Sequence, residues 1–195
     1  MAGNCGKITD DIFNNCDETL IGGVRDRLIL FNKDDIDNGS ITRNTSNGQI
    51  IEGITLPSSP QARGFVFEGQ NNSIDASTSL SKGRYSVGYL HRLVFRIFTN
   101  SPAVKEQLEA MAKGKVVAVV QNNFQGASGQ GAFEISGLEA GLEVIELTSD
   151  KSDADTQGAY VVTLSTNEQF REGHLPATAF LTDFETTRDW IEALL

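Results

Sequence analysis

The sequence predicts a mainly β fold: a β-sandwich or half-barrel flanked by one α-helix and finished by a short C-terminal helix. Three observations lead there. Apolar side chains alternate with period two along several short stretches, the spacing of a strand with one covered face. Glycine is abundant and proline scarce, 19 Gly against 4 Pro in 195 residues, so turns are many and rigid turns few. Before the C-terminal segment, only one stretch joins helix start and stop signals to apolar residues three and four apart.

Residues 1–20 are polar, rich in Asn and Asp, and are expected to form an N-terminal arm that orders only when something covers it. Both cysteines, Cys5 and Cys16, lie in this arm without zinc-type spacing; free thiols and a local bridge both fit. A short strand is expected at 27–32, a second at 49–56 closed by Pro57 and Pro60, and a third at 63–69 with Phe65 and Phe67 on one side. "GQNNSIDASTSLSKGR", residues 69–84, follows with only Ile74 and Leu80 as large apolar side chains. It is too long and polar for an idle turn. It is expected to be a long assembly loop, and as a segment alone it could equally be a loose hairpin tip.

"YSVGYLHRLVFRIFT", 85–99, is the longest strand-like stretch, with Tyr89, His91, Leu93 and Phe95 on one face and Arg92, Val94 and Arg96 on the other. Both faces are expected to be partly covered. His91 among these apolar positions reads as a hydrogen-bonded buried side chain, not a catalytic base. The helix follows: a cap at Asn100 or Ser101, Pro102 at the first helical position, an apolar stripe of Val104, Leu108 and Met111, and Lys113 with Gly114 at its end. "KVVAVVQNN" then has the unbroken apolar run of a central strand. Further strands are expected at 132–136 and 141–148 around a 137–141 turn, and at 159–166. "FETTRDWIEALL" is the terminal helix, docking through Phe184, Trp190, Ile191 and Leu194. One domain, 1–195, accommodates all of this.

The net charge of −10, from 26 acids and 16 cations, argues against non-specific attraction to phosphate backbones or anionic lipid, although acidity alone is also what solubility needs. Residues 131–150 concentrate it, with Glu134, Glu139, Glu143, Glu146 and Asp150 and no Lys or Arg. No apolar run reaches membrane-spanning length, and the N-terminal stretch lacks a signal-peptide pattern, so synthesis in the cytoplasm is expected. "NKDDIDNGSI" fails as a calcium hand: with Gly39 as the loop glycine, Asp34 and Asn38 fit but Ile36 and Thr45 occupy ligand positions. There is no nucleophile elbow and no phosphate-cradling loop. No catalytic residue, metal site or cofactor is therefore assigned, and a structural or binding protein remains.

The order of long strand, single helix, buried strand, and then the phrase from Phe133 through Gly137 and Gly141 to Leu142 and Glu143, resembles the tail tube (major tail) proteins of long-tailed bacteriophages. The resemblance spans about residues 85–168 and belongs to a superfamily that includes contractile tails and type VI secretion tubes. It implies a structural virion protein, made in the bacterial host cytoplasm, whose copies close into six-membered rings. The rings stack into a tube alongside other phage tail proteins, and genomic DNA passes through without specific binding. On that expectation Glu134, Glu143 and Glu146 line the channel and keep phosphates from sticking, while Ile74, Leu80 and Arg84 reach the adjacent ring. The terminal helix leaves a neck, terminator or baseplate relative open, and a carbohydrate-binding adhesive β-sandwich is the other alternative.

Overall fold

The computed structural model describes residues 11–12, 21–37, 39–126 and 128–195. Among these lie eleven strands and two α-helices. In chain order they are β1 (Val24–Asn32), β2 (Ile41–Arg43), β3 (Ile50–Ile54), β4 (Phe65–Glu68), β5 (Ile74–Lys82), β6 (Val87–Ile97), α1 (Pro102–Met111), β7 (Val116–Asn122), β8 (Phe133–Ser136), β9 (Glu143–Thr148), β10 (Tyr160–Ser165), β11 (Ala177–Ala179) and α2 (Phe184–Glu192). The expected arm, with Cys5 and Cys16, lies outside the described residues except for 11 and 12, and so does Asn38.

The strands form a large sheet, ordered β2-β3-β11-β8-β7-β1-β4, and a small one, ordered β5-β6-β10-β9. Pairing is antiparallel except between β11 and β3. β7 explains the layering. Successive side chains point to opposite faces, so Val117 and Val119 enter one core while Val116, Ala118 and Val120 enter another. The first core joins Ile29, Phe31, Ile51 and Ile135 to Phe184, Trp190 and Ile191 of α2. The second lies between the sheets and joins Leu28 and Leu30 to Leu93, Phe95, Val162 and Leu164, with Val104, Leu108 and Met111 of α1 packed at it. The large sheet is thus covered on both faces, as a continuous apolar run requires.

Both helices start on side-chain caps: Ser101 accepts from the Val104 amide and Asp183 from the Thr186 amide. α2 is built into the core. Phe184 stacks on Phe133 with ring centroids 5.5 Å apart, Glu192 pairs with Arg27 of β1, and a Cβ on Gly64 would sit 2.8 Å from Leu195 and 2.9 Å from Ile29.

One expectation is corrected. The 69–84 stretch is not a loop: Ile74–Lys82 is a nine-residue strand paired along its length with β6, and the connection is only 83–86. Its inward positions, Ile74, Ala76, Thr78 and Leu80, do alternate, but small polar residues mask the pattern. The two strands expected around the 137–141 turn are present but belong to different layers: β8 joins the large sheet and β9 the small one. The chain crosses between layers there, with Gly137 and Gly141 both at φ 79°, and a Cβ at Gly137 would stand 2.8 Å from Leu142. β6 is buried at His91, Leu93 and Phe95 on one face, while on the other Val94 and Arg96 are half-buried and Arg92 is exposed.

Candidate assembly surface

The small sheet has an inward face on the inter-sheet core and an outward face that neither helix covers, since α1 belongs to the inter-sheet core and α2 to the far side of the large sheet. Register defines the outward face, because residues directly opposite on neighbouring strands share a face. Arg92 lies opposite Ser77 and Ser165, Val94 opposite Asp75 and Thr163, and Arg96 opposite Val161; Glu146 lies opposite Thr163 and Glu143 opposite Ser165. Asp75, Ser77, Ser79, Arg92 and Glu146 are exposed, while Thr163 and Ser165 at the middle are buried.

The face carries both signs of charge. Arg96 lies 3.9 Å from Asp75, and Lys115 closes on Glu143 at 2.8 Å. The hydrogen bond from Lys115 holds the Glu143 carboxyl below its ordinary range, with a further contribution from Asn167 against the opposing effect of burial. Among the described residues Arg92 and Glu146 have no ion-pair partner.

Among the described residues, no strand pairs with either border of this sheet. β5 presents nine residues whose middle, Ala76–Ser81, contains no charge, proline or bulge. Those are the features that ordinarily protect an edge strand from pairing with another chain. β9 is shorter and bulged at Ile145, since Val144 and Glu146 face consecutive residues of β10. Ile145 and Leu147 are exposed there.

The three expected channel residues do not share one surface. Glu143 and Glu146 lie on the outward face. Glu134 sits on β8 opposite Val120, an inter-sheet core residue, and faces a cleft of about 440 Å³ between β5 and the large sheet, lined also by Ala76, Thr78, Asn122 and Ser136. The sequence run was misleading because the chain changes sheet inside it. Of the expected inter-ring residues, Ile74 is 2% exposed in the inter-sheet core and cannot meet a neighbour. Leu80 is exposed on the β5–β6 hairpin, and Arg84 is exposed in its turn with its guanidinium 5.1 Å from the centre of the Tyr85 ring. Arg92 and Arg96 were missed as members of the face; the alternation along 85–99 had already put them on one side of the strand.

Mainly β, with two packed sheets and a C-terminal helix, is the class that the fold defines. Comparison of the chain with protein-family models, with curated proteins and with solved structures found no match. No helix among the described residues is long and apolar enough to cross a membrane.

Proposed function

We propose that this chain is a structural protein that joins copies of itself edge to edge through the small sheet, closing rings that stack into a tube of the phage-tail kind. The observation that supports the reading is the pair of borders left without a partner strand among the described residues on one four-stranded sheet, above all the nine-residue β5. A β5 border meeting a β9 border of the next copy is a heterologous contact, which closes into a ring when its rotation allows. Closure removes the free edges and makes the outward face the wall of a bore. That wall is of mixed sign: Asp75, Glu143 and Glu146 stand against Arg92 and Arg96. Two of the acids are paired, so phosphate is kept off by neutralised cations as much as by free negative charge.

Negative-stain images of the purified protein test the assembly. Rings or tubes are expected, and a monodisperse monomer at high concentration overturns it. A charged substitution on the β5 border, Ser79→Lys, is expected to abolish assembly without unfolding the monomer. One observation favours a second reading. Tyr85 and Phe170 are exposed aromatics of the kind that sugar-binding surfaces use. An adhesive module predicts a monomer that binds glycans and loses binding in Tyr85→Ala.

A further inference from the structure

Three segments meet around His91: β6, the 137–141 crossover and residues 172–174. The His91 ring is 2% exposed and bridges two of them: the Gly137 amide donates to Nδ1 at 3.2 Å, and Nε2 lies 3.0 Å from the His174 carbonyl. A carbonyl only accepts, so Nε2 carries the proton and Nδ1 is the acceptor. The same two segments are fastened again by a reciprocal pair of carboxylates. Glu172, also 2% exposed, accepts from the amides of Glu139 at 3.0 Å and Ala140 at 2.9 Å. Glu139 in return accepts from the Gly173 amide at 2.9 Å. Segment 172–174 is itself anchored to β6, where Tyr89 and Glu172 exchange both backbone hydrogen bonds.

We propose that His91 is the proton-sensitive pin of a latch that fastens the 137–141 crossover, and with it the start of the β9 border, to the 172–174 segment and β6. A neutral ring serves the Gly137 amide and the His174 carbonyl together. A protonated ring has two donors and no acceptor, so Nδ1–H meets the Gly137 N–H and the bond becomes a repulsion. The crossover then keeps the two carboxylate clamps, Glu172 and Glu139, and the Leu142–Val116 backbone pair, without the bond at Gly137. β9 is the element that follows, so acid reshapes the β9 border and leaves β5 alone.

The charged surroundings set the direction. Burial pushes the His91 ring below its ordinary value, against the His174 carbonyl and the carboxylates of Glu134 on β8 and Glu139 in the crossover, which pull it up. His174 sits 3.7 Å from Glu139, and Arg43 of β2 lines the same small cavity as Glu172. Burial pushes the Glu172 carboxyl up, opposed by the amides that it accepts from. With His91 depressed in the folded state, the unfolded chain binds the extra proton first. Its stabilising contribution is complete above the unfolded value of 6.5 and is lost as pH falls below it toward the folded value.

The inference concerns a single folded copy, so it stands or falls independently of assembly. Its test is amide hydrogen exchange by NMR on the unassembled protein, expressed as protection factors from about pH 7.5 to about pH 5, a range bracketing the ordinary histidine value. Protection of Gly137, Glu139 and Ala140 is expected to fall about tenfold or more, the worth of one lost hydrogen bond, while Val117 in β7 holds. In His91→Gln, whose amide offers one donor and one acceptor but cannot titrate, the fall should vanish; in His174→Asn it should persist. A flat wild-type profile, a fall surviving in His91→Gln, or a fall lost in His174→Asn each overturns the proposal. Should His91→Gln not fold, the ring nitrogen shifts of wild-type His91 decide. They must report a neutral Nε2–H tautomer at the upper pH and titrate together with the Gly137 amide, and any mismatch overturns the latch.

Discussion

The two sheets differ in how they satisfy their faces and edges. The large sheet is sandwiched: the small sheet and α1 lie on one side, α2 on the other, and its central strand β7 has five consecutive buried residues. Among the described residues no helix or second sheet covers the outward face of the small sheet, and its borders carry exposed residues on both β5 and β9. Stability therefore resides in the first, and the capacity to meet other molecules in the second. A surface with open backbone groups costs a monomer little in water, where solvent satisfies them, but offers a template to any strand of matching register.

The sharpest way to break this contrast is to compare truncations in the two regions. Phe31→Ala, at a large-sheet side chain 1% exposed, is expected to lower unfolding free energy by about 3–5 kcal/mol in urea titrations. Leu80→Ala on the β5–β6 hairpin, 53% exposed, is expected to cost under about 0.5 kcal/mol in the same assay. Equal losses would mean that the hairpin is part of the core. Gly64→Ala comes next, because its new methyl meets Leu195 and Ile29 inside 3 Å; overpacking costs about 1–3 kcal/mol. Ser101→Ala removes the α1 cap and should cost about 1 kcal/mol.

Smaller still is the ion pair between Arg27 and Glu192, which ties α2 to β1. Its hydrogen bond holds the Glu192 carboxyl below its ordinary 4.5. The stabilisation is complete above 4.5 and is lost as pH falls through the lower folded value; acid titration of Glu192→Gln should lack that step and differ by under about 1 kcal/mol. On the outward face, Glu146→Lys should change stability by no more than about 0.5 kcal/mol. In assembled tubes the same substitution should raise DNA retention, and unchanged retention would separate that face from any bore.

The contrast also explains what the sequence made legible. β1, β3, β4, β6, β7, β10 and both helices stood out because their covered faces are written in large apolar side chains, and β8 and β9 stood out on either side of the glycines at 137 and 141. β5 did not, since an edge strand with water on one side needs only Ile74 well buried, and Ser and Thr fill the other places. β11 is three residues, Ala-Thr-Ala, too short to show a period, and it is recruited between β3 and β8 by their edges. The acidic run from Glu134 to Glu146 looked like one ribbon because a change of sheet leaves no mark on composition; only the two glycines of the crossover hinted at it. The grouping of His91 with Gly137 and Glu172 has no sequence spacing to reveal it, although the histidine's place among apolar alternates did mark it as buried and hydrogen-bonded.

The chain enters the small sheet twice, as β5–β6 and again as β9–β10, and returns to the large sheet after each visit. Each ribbon is consequently tethered at its two ends to the thicker layer. A pull on either border of the small sheet is shared between two anchorages and cannot unzip the ribbon from a loose end.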